Sequence, residues 1–286
     1  GGLRIGKEMN ERKPDEPYDE RLEWDRDGQY YHYLTRWMHA LSRVSRETGD
    51  PAYNTWAIEL AKAAHNRFLH TLKDGSRWMV WKMSIDLSYP QVPSMGQHDP
   101  LDGLITYHQL QATATRLSTT GLDLVSEMAD MVTLCKGRSW TTDDPLCIGG
   151  LLCDAYKTAR LTQESAFPDT ALLQDLLKAS LAGVEAYSTG RALKLPAEYR
   201  LAFRELGLAI GLHAVEKMER LARESDALAE SEPLMDAFQR HLHLGESIEH
   251  FWLDPQHHKV QSWSGHQDIN SVMLATRLAP DGYLAL

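Results

Sequence analysis

Carboxylates, histidines and tryptophans gather in the long polar stretches of this chain. Residues 23–32, EWDRDGQYYH, hold Trp24, Asp25, Asp27, Tyr31 and His32, and residues 78–102 hold Trp78, Trp81, Lys82, Asp86, His98 and Asp102. Later stretches add Trp140 and Asp143, then Arg200, Arg204 and Glu205, and last Trp263, His266 and Asp268. Indole rings beside carboxylates suit sugars, because the C–H face of a pyranose packs on an aromatic ring while its hydroxyls need polar partners. Glycoside hydrolysis needs two carboxyl groups across the scissile bond. Asp25 or Asp27 could pair with Asp86 or Asp102 for that purpose. Epimerisation instead needs groups that move a proton near neutral pH, which suits histidine. Three separate stretches supply His32, His98 and His266.

Each of these residues also has a structural explanation. Loop tryptophans can plug the ends of a helical array. Asp99 and Asp144 precede proline and read as helix N-caps. Asp25 and Asp27 lie near a helix start, where a carboxylate complements the macrodipole. Arg204 and Glu205 sit in LAFRELGLAIGLHAV. Charges on so apolar a helix must be paired or line a cavity, and an internal ion pair that fixes the fold is a simpler expectation than a substrate clamp. Adjacent His98-Asp99 and His257-His258, with His266-x-Asp268, offer metal-ligand atoms but no recognised motif spacing. No metal site and no cofactor is expected, since phosphate-binding glycine loops and a nucleophile elbow are also absent.

The elements that must position these groups are helical. Tyr30, Leu34, Trp37, Leu41 and Val44 recur at helical spacing, which predicts a helix over 30–47 with those residues buried. Gly49 reads as the left-handed stop, Asp50 as the next N-cap and Pro51 as its first helical residue. Tyr53, Trp56, Leu60, Ala64 and Phe68 mark the buried face of the second helix, to about 71. Residues 77–83, RWMVWKM, could form a short strand. Helices follow at 99–117 and 121–135. A third hairpin runs from Pro145 through about 187. The fourth consists of AEYRLAFRELGLAIGLHAVEKMERLA and PLMDAFQRHLHLGESIEHFW, and a final helix starts near His266. Residues 1–22 read as an irregular arm.

Composition bounds the functional classes. The chain has 286 residues and a net charge of −10 without a basic cluster, which argues against nucleic acid. No apolar run approaches a membrane span or a signal-peptide core. Cys135, Cys147 and Cys153 match no zinc spacing, and free cysteine packs as a small hydrophobe, so a reducing cytoplasm is the default.

The segment 37–61, WMHALSRVSRETGDPAYNTWAIELA, resembles the hairpin unit of six-hairpin glycosidase-like α/α toroids. This superfamily includes glycoside hydrolases, unsaturated glucuronyl hydrolases and the N-acylglucosamine and cellobiose 2-epimerases. The resemblance is clearest over residues 30–68 and continues as hairpin rhythm. It implies an all-α fold, a single α/α toroid over residues 1–286 with inner and outer helices, and a cleft where the inner helices begin. A small-molecule carbohydrate would be the partner there. Trp24, Trp78, Trp81, Trp140, Trp263, Tyr31 and Arg204 would bind it, and Asp25, Asp27, Asp86, Asp102, His32, His98 and His266 would be the catalytic candidates. The resemblance brings no family-specific catalytic signature. A glycoside hydrolase leads, a histidine-based sugar 2-epimerase comes second, and a non-catalytic sugar-binding or scaffold protein is the third reading. The oligomeric state is open.

Overall fold

In the first of two compact units, Gly1–Arg138, capping residues fix the helix ends. The structure, a computed structural model, describes residues 7, 9–13, 15–94, 96–119 and 121–286. Asp19 accepts from the backbone N–H groups of Arg21 and Leu22 and starts α1 (Glu20–Asp25). Residues 20–25 are therefore helical, where an arm and loop were expected. Strand β1 (Gln29–Tyr30) leads into α2 (Tyr31–Thr48), which Gly49 ends in the left-handed region at φ 74°. Asp50 caps α3 (Pro51–Phe68) through the Ala52 N–H, as its position before proline predicts.

The stretch after Phe68 is extended. It comprises β2 (Leu69–Thr71), β3 (Arg77–Met79) and β4 (Lys82–Met83). Thus residues 77–83 form two short strands in separate antiparallel pairs, β2 with β3 and β1 with β4. Helices α4 (Asp99–Arg116) and α5 (Val125–Cys135) complete the unit.

The buried faces of α2 and α3 differ from those read from apolar spacing. Trp37 is 47% exposed, Val44 40% and Trp56 53%. The residues that face inward on α2 are Tyr31, Leu34, Thr35, Met38, His39, Ser42 and Ser45. Four of those seven are polar, and α4 satisfies three of them. Thr35 Oγ1 donates to Asp102, His39 Nδ1 lies 2.8 Å from Gln109 Oε1, and Ser42 Oγ lies 2.9 Å from Thr113 Oγ1. A buried polar group that is hydrogen-bonded avoids the desolvation penalty. Periodicity counted on apolar residues alone therefore finds Leu34, Ala64 and Phe68 in the core but misplaces the centre of the buried face.

In the second unit, Ser139–Leu286, the helices are α6 (Pro145–Gln163), α7 (Thr170–Thr189) and α8 (Ala202–Ala222). They are followed by α9 (Glu232–Asp236), α10 (His243–Leu253), α11 (Gln261–Ser264), α12 (Gln267–Leu278) and α13 (Asp281–Leu284). The helix expected over PLMDAFQRHLHLGESIEHFW is broken into α9, a 3₁₀ turn at Gln239–His241 and α10. Asp144 caps α6 through the N–H groups of Leu146 and Cys147, as expected. Helices α6 and α8 cross at backbone contact. A Cβ on Gly149 would lie 2.0 Å from Gly207 O, and one on Gly211 would lie 2.6 Å from Gly149 Cα. Both helices are buried on most sides, as their near-continuous apolar character predicts. Among the described residues no helix is long and apolar enough to cross a membrane.

Burial also makes the fold acid-sensitive. His65 is held below the ordinary histidine value chiefly by burial, which the Asp130 carboxylate only partly offsets. Burial likewise lowers His213 and His241. In the unfolded chain each would take up a proton near its ordinary value of about 6.5. The unfolded state therefore binds more protons below that pH, and stability falls as pH drops through it. Replacing His65 with glutamine is expected to flatten the decline. Urea denaturation series between neutral pH and pH 5 on both proteins check this, and equal slopes would count against it.

Candidate functional site

Pairing of β1 with β4 sets Tyr30 opposite Lys82, with Trp81 just before it. The backbone N–H of Tyr31 donates to Trp81 O at 3.0 Å, which locks the start of α2 to the strand. On this frame stands a continuous row of rings. Trp24, half exposed at the end of α1, lies 4.7 Å from Trp81 between ring centroids. Trp81 meets Tyr30 edge-on at 5.0 Å, and Tyr30 stacks on Tyr33 at 5.4 Å with the planes 9° apart. His32 touches both tyrosines, at 5.4 and 4.7 Å. The Trp81 indole N–H donates to Ser94 Oγ at 2.8 Å, which fixes the ring.

The row ends at a carboxylate. His32 Nδ1 lies 3.7 Å from Asp99 Oδ1. Asp99 is buried in the first turn of α4, and the N-cap position belongs to His98, which makes no side-chain capping bond. Asp99 is thus not the N-cap expected from the Asp-Pro pair. Its carboxylate turns to His32, and Gly96 lets the preceding loop pass close to it: a Cβ there would lie 1.9 Å from Asp99 Oδ2. One turn further along α4, Asp102 accepts from Thr35 Oγ1 and pairs with Arg36 at 3.0 Å. Burial raises the phenols of Tyr30 and Tyr33, so both stay protonated and can donate at neutral pH.

Beneath the row, Lys82 is fully buried and donates to the carbonyls of Glu23 and Arg26 at the end of α1. Burial, with help from the nearby Lys7 ammonium, lowers it to about 8. Its role is to close the C-terminus of α1 and hold Trp24 in place.

The other sequence candidates lie elsewhere or are engaged. Asp25 is exposed at the last position of α1. Asp27 is buried and accepts from the Gly28 N–H at 2.9 Å. Asp86 is exposed and holds a turn, accepting from Ser84 Oγ and from the N–H and Oγ of Ser88, bonds that lower its carboxyl. Tyr31 is entirely in the core, where its hydroxyl lies 2.9 Å from that of Tyr107. Trp78 sits in β3 opposite His70.

In the second unit Trp140 is buried, and Trp263 is sandwiched by His258 at 3.7 Å and Trp252 at 5.8 Å. His266 is exposed against Phe203. Arg204 pairs with Asp144, and Glu205 forms a buried pair with Arg200, so both charges on this apolar helix are paired. Trp263 and His258 edge a cleft of about 510 Å³ along α12, and Arg200 and His257 edge another of about 350 Å³. Among the described residues, no three His, Cys, Asp or Glu side chains gather to hold a metal ion.

Of the sequence candidates, the row brings together Trp24, Trp81 and His32, with Asp102 a turn away. Tyr30 and Tyr33 were not among them, and Asp99 was read only as an N-cap and a source of metal-ligand atoms. Asp99 and Asp102 carried a signal in spacing, since HDPLD sets them one helical turn apart; Tyr30 and Tyr33 carried none of that kind, because Tyr30 lies in β1 before the first helical residue. Comparison of the chain with known protein families, with curated proteins and with solved structures finds no match. The likeness to six-hairpin toroids therefore rests on the hairpin pattern alone.

Proposed function

We propose that the chain is a carbohydrate-active protein whose saccharide lies on the Trp24–Trp81–Tyr30–Tyr33 row with its reacting carbon at His32. The observation that carries this reading is the unbroken run of rings from solvent to the His32–Asp99 pair. Rings supply the apolar face, and two protonated phenols, His32 and Asp99 supply hydrogen-bonding partners. A histidine beside a carboxylate suits proton transfer, and His32 Nδ1 stands 3.7 Å from Asp99 Oδ1. That favours epimerisation or isomerisation of a sugar. Hydrolysis is the second reading, with Asp99 and the exposed Asp25 as the carboxyl groups, because Asp27, Asp86 and Asp102 are already hydrogen-bonded. Helical hairpins with nearly all-round buried helices support an α/α toroid as the parent architecture. Three free cysteines support a cytoplasmic setting.

The test is incubation with reducing sugars in deuterium oxide. Proton transfer at carbon puts deuterium into the sugar, and hydrolysis of a disaccharide releases new reducing ends. Trp24→Ala is expected to weaken saccharide binding about 10- to 100-fold, the loss of one ring contact, with no change in melting temperature because the ring is half exposed. His32→Ala should remove turnover and leave binding within a few-fold. Turnover that survives His32→Ala would refute the proton-transfer reading.

A further inference from the structure

The cleft of about 350 Å³ in the second unit is lined by side chains of opposite charge, Arg200 and Asp254. Arg200 is buried, and its guanidinium is only partly engaged. Nε and one terminal nitrogen donate to Glu205, and the other terminal nitrogen donates to Leu193 O at 3.2 Å. Five N–H groups less these three leave two, one on each terminal nitrogen, without a partner among the described residues. Glu205 does not fully neutralise the guanidinium, because its carboxylate also accepts from the Trp252 indole and the Tyr187 hydroxyl. Asp254, just after α10, accepts from the Gln256 N–H through one oxygen and keeps the other without a partner among the described residues. We infer that this cleft binds a small zwitterion, a free α-amino acid, with its carboxylate on Arg200 and its ammonium on Asp254.

The two charges select the ligand. A simple anion on Arg200 would also meet Asp254, and a simple cation at Asp254 would also meet Arg200. A molecule that carries both signs a few bonds apart satisfies both. Size agrees, since the cleft stands at the lower end of the roughly 300–1,000 Å³ that small-molecule sites span. The walls are also fixed in advance, which lowers the cost of binding. The Arg200 guanidinium lies 3.7 Å from the Phe251 ring centroid, and the His257 ring lies 3.8 Å from it with the planes 15° apart, so the two take opposite faces of Phe251. His257 Nδ1 lies 2.7 Å from Phe251 O and must donate to it, which leaves Nε2 of the neutral ring to accept from the ammonium. Ser247 and His250, three apart on one face of α10, line the same cleft and offer a hydroxyl and an imidazole to the ligand's side chain.

Isothermal titration calorimetry of the full chain with each of the common amino acids tests this. At least one is expected to bind with a dissociation constant of about 1 mM or tighter. Its amide, which lacks the carboxylate, and its deamino acid, which lacks the ammonium, should each bind more weakly. Asp254→Asn should weaken binding about 5-fold, the upper range for an exposed ion pair, and keep the wild-type melting temperature because the position is exposed. Arg200→Met with Glu205→Leu, which leaves no unpaired charge in the interior, should weaken it at least about 30-fold. Dissociation constants above about 1 mM for every amino acid, analogues that bind as well as the amino acid itself, or binding that either variant leaves unchanged would overturn the inference.

Discussion

Replacing Gly149 with valine is expected to unfold the second unit or lower its stability by more than about 3 kcal/mol, the upper range for overpacking a close-packed core. The cause is a backbone contact. A Cβ on Gly149 would meet Gly207 O at 2.0 Å, Gly207 C at 2.3 Å and Leu208 N at 2.7 Å. No rotamer change relieves a clash with main-chain atoms, so α6 and α8 would have to separate. Both helices are buried on most sides, and separation would open a void along a close-packed core. The neighbouring position should behave oppositely. Nothing lies within 4 Å of a Cβ on Gly150, and alanine in a helix interior is favoured over glycine by about 0.5–1 kcal/mol. Gly150→Ala is therefore expected to stabilise. Chemical denaturation of both variants checks the pair, and equal effects would show that the helices do not cross at Gly149.

Glu205→Leu is expected to cost about 3–5 kcal/mol, because it strands a buried charge. Arg200 and Glu205 are 4% and 3% exposed. Arg200 donates to both carboxylate oxygens, at 2.6 to 3.1 Å, and its guanidinium lies 3.7 Å above the Phe251 ring. The same carboxylate accepts from the Trp252 indole at 2.7 Å and lies 3.3 Å from the Tyr187 hydroxyl. Removing it leaves Arg200 and the Trp252 N–H without their anion, and an unsatisfied buried donor keeps its full desolvation penalty. Replacing both members of the pair, Arg200→Met with Glu205→Leu, should recover most of the loss. A double-mutant cycle in urea measures this. A loss below about 1 kcal/mol for Glu205→Leu would mean that the pair is solvated, as surface pairs are.

How much could be read from the sequence depended on the kind of signal. Helix starts at Asp50-Pro51 and Asp144-Pro145, and the stop at Gly49, were legible because capping is local and each residue type has one dominant use there. The same local reading failed at Asp99-Pro100, where His98 takes the N-cap position and the Asp99 carboxylate turns toward His32. The inward faces of α2 and α3 were legible only at Leu34, Ala64 and Phe68, because the other buried residues include Thr35, His39, Ser42 and Asn54, whose partners lie some 56 to 71 positions away. Trp24, Trp81 and His32 were legible as candidates from type alone. Their meeting was not, because it depends on β1 pairing with β4 across a gap of about fifty residues. Arg200 as the partner of Glu205 was likewise invisible, since it arrives from a 3₁₀ turn that no periodicity marks.

The central claim is that a saccharide sits on the ring row of the first unit. Fluorine NMR of the chain labelled with 5-fluorotryptophan, titrated with cellobiose, N-acetylglucosamine and glucuronic acid, tests it most directly. The account predicts that one of these sugars shifts the Trp24 and Trp81 signals, assigned by single substitution, and leaves Trp140, Trp252 and Trp263 unmoved. A saccharide that shifts the tryptophans of the second unit alone, or no shift with any of the three, would contradict it.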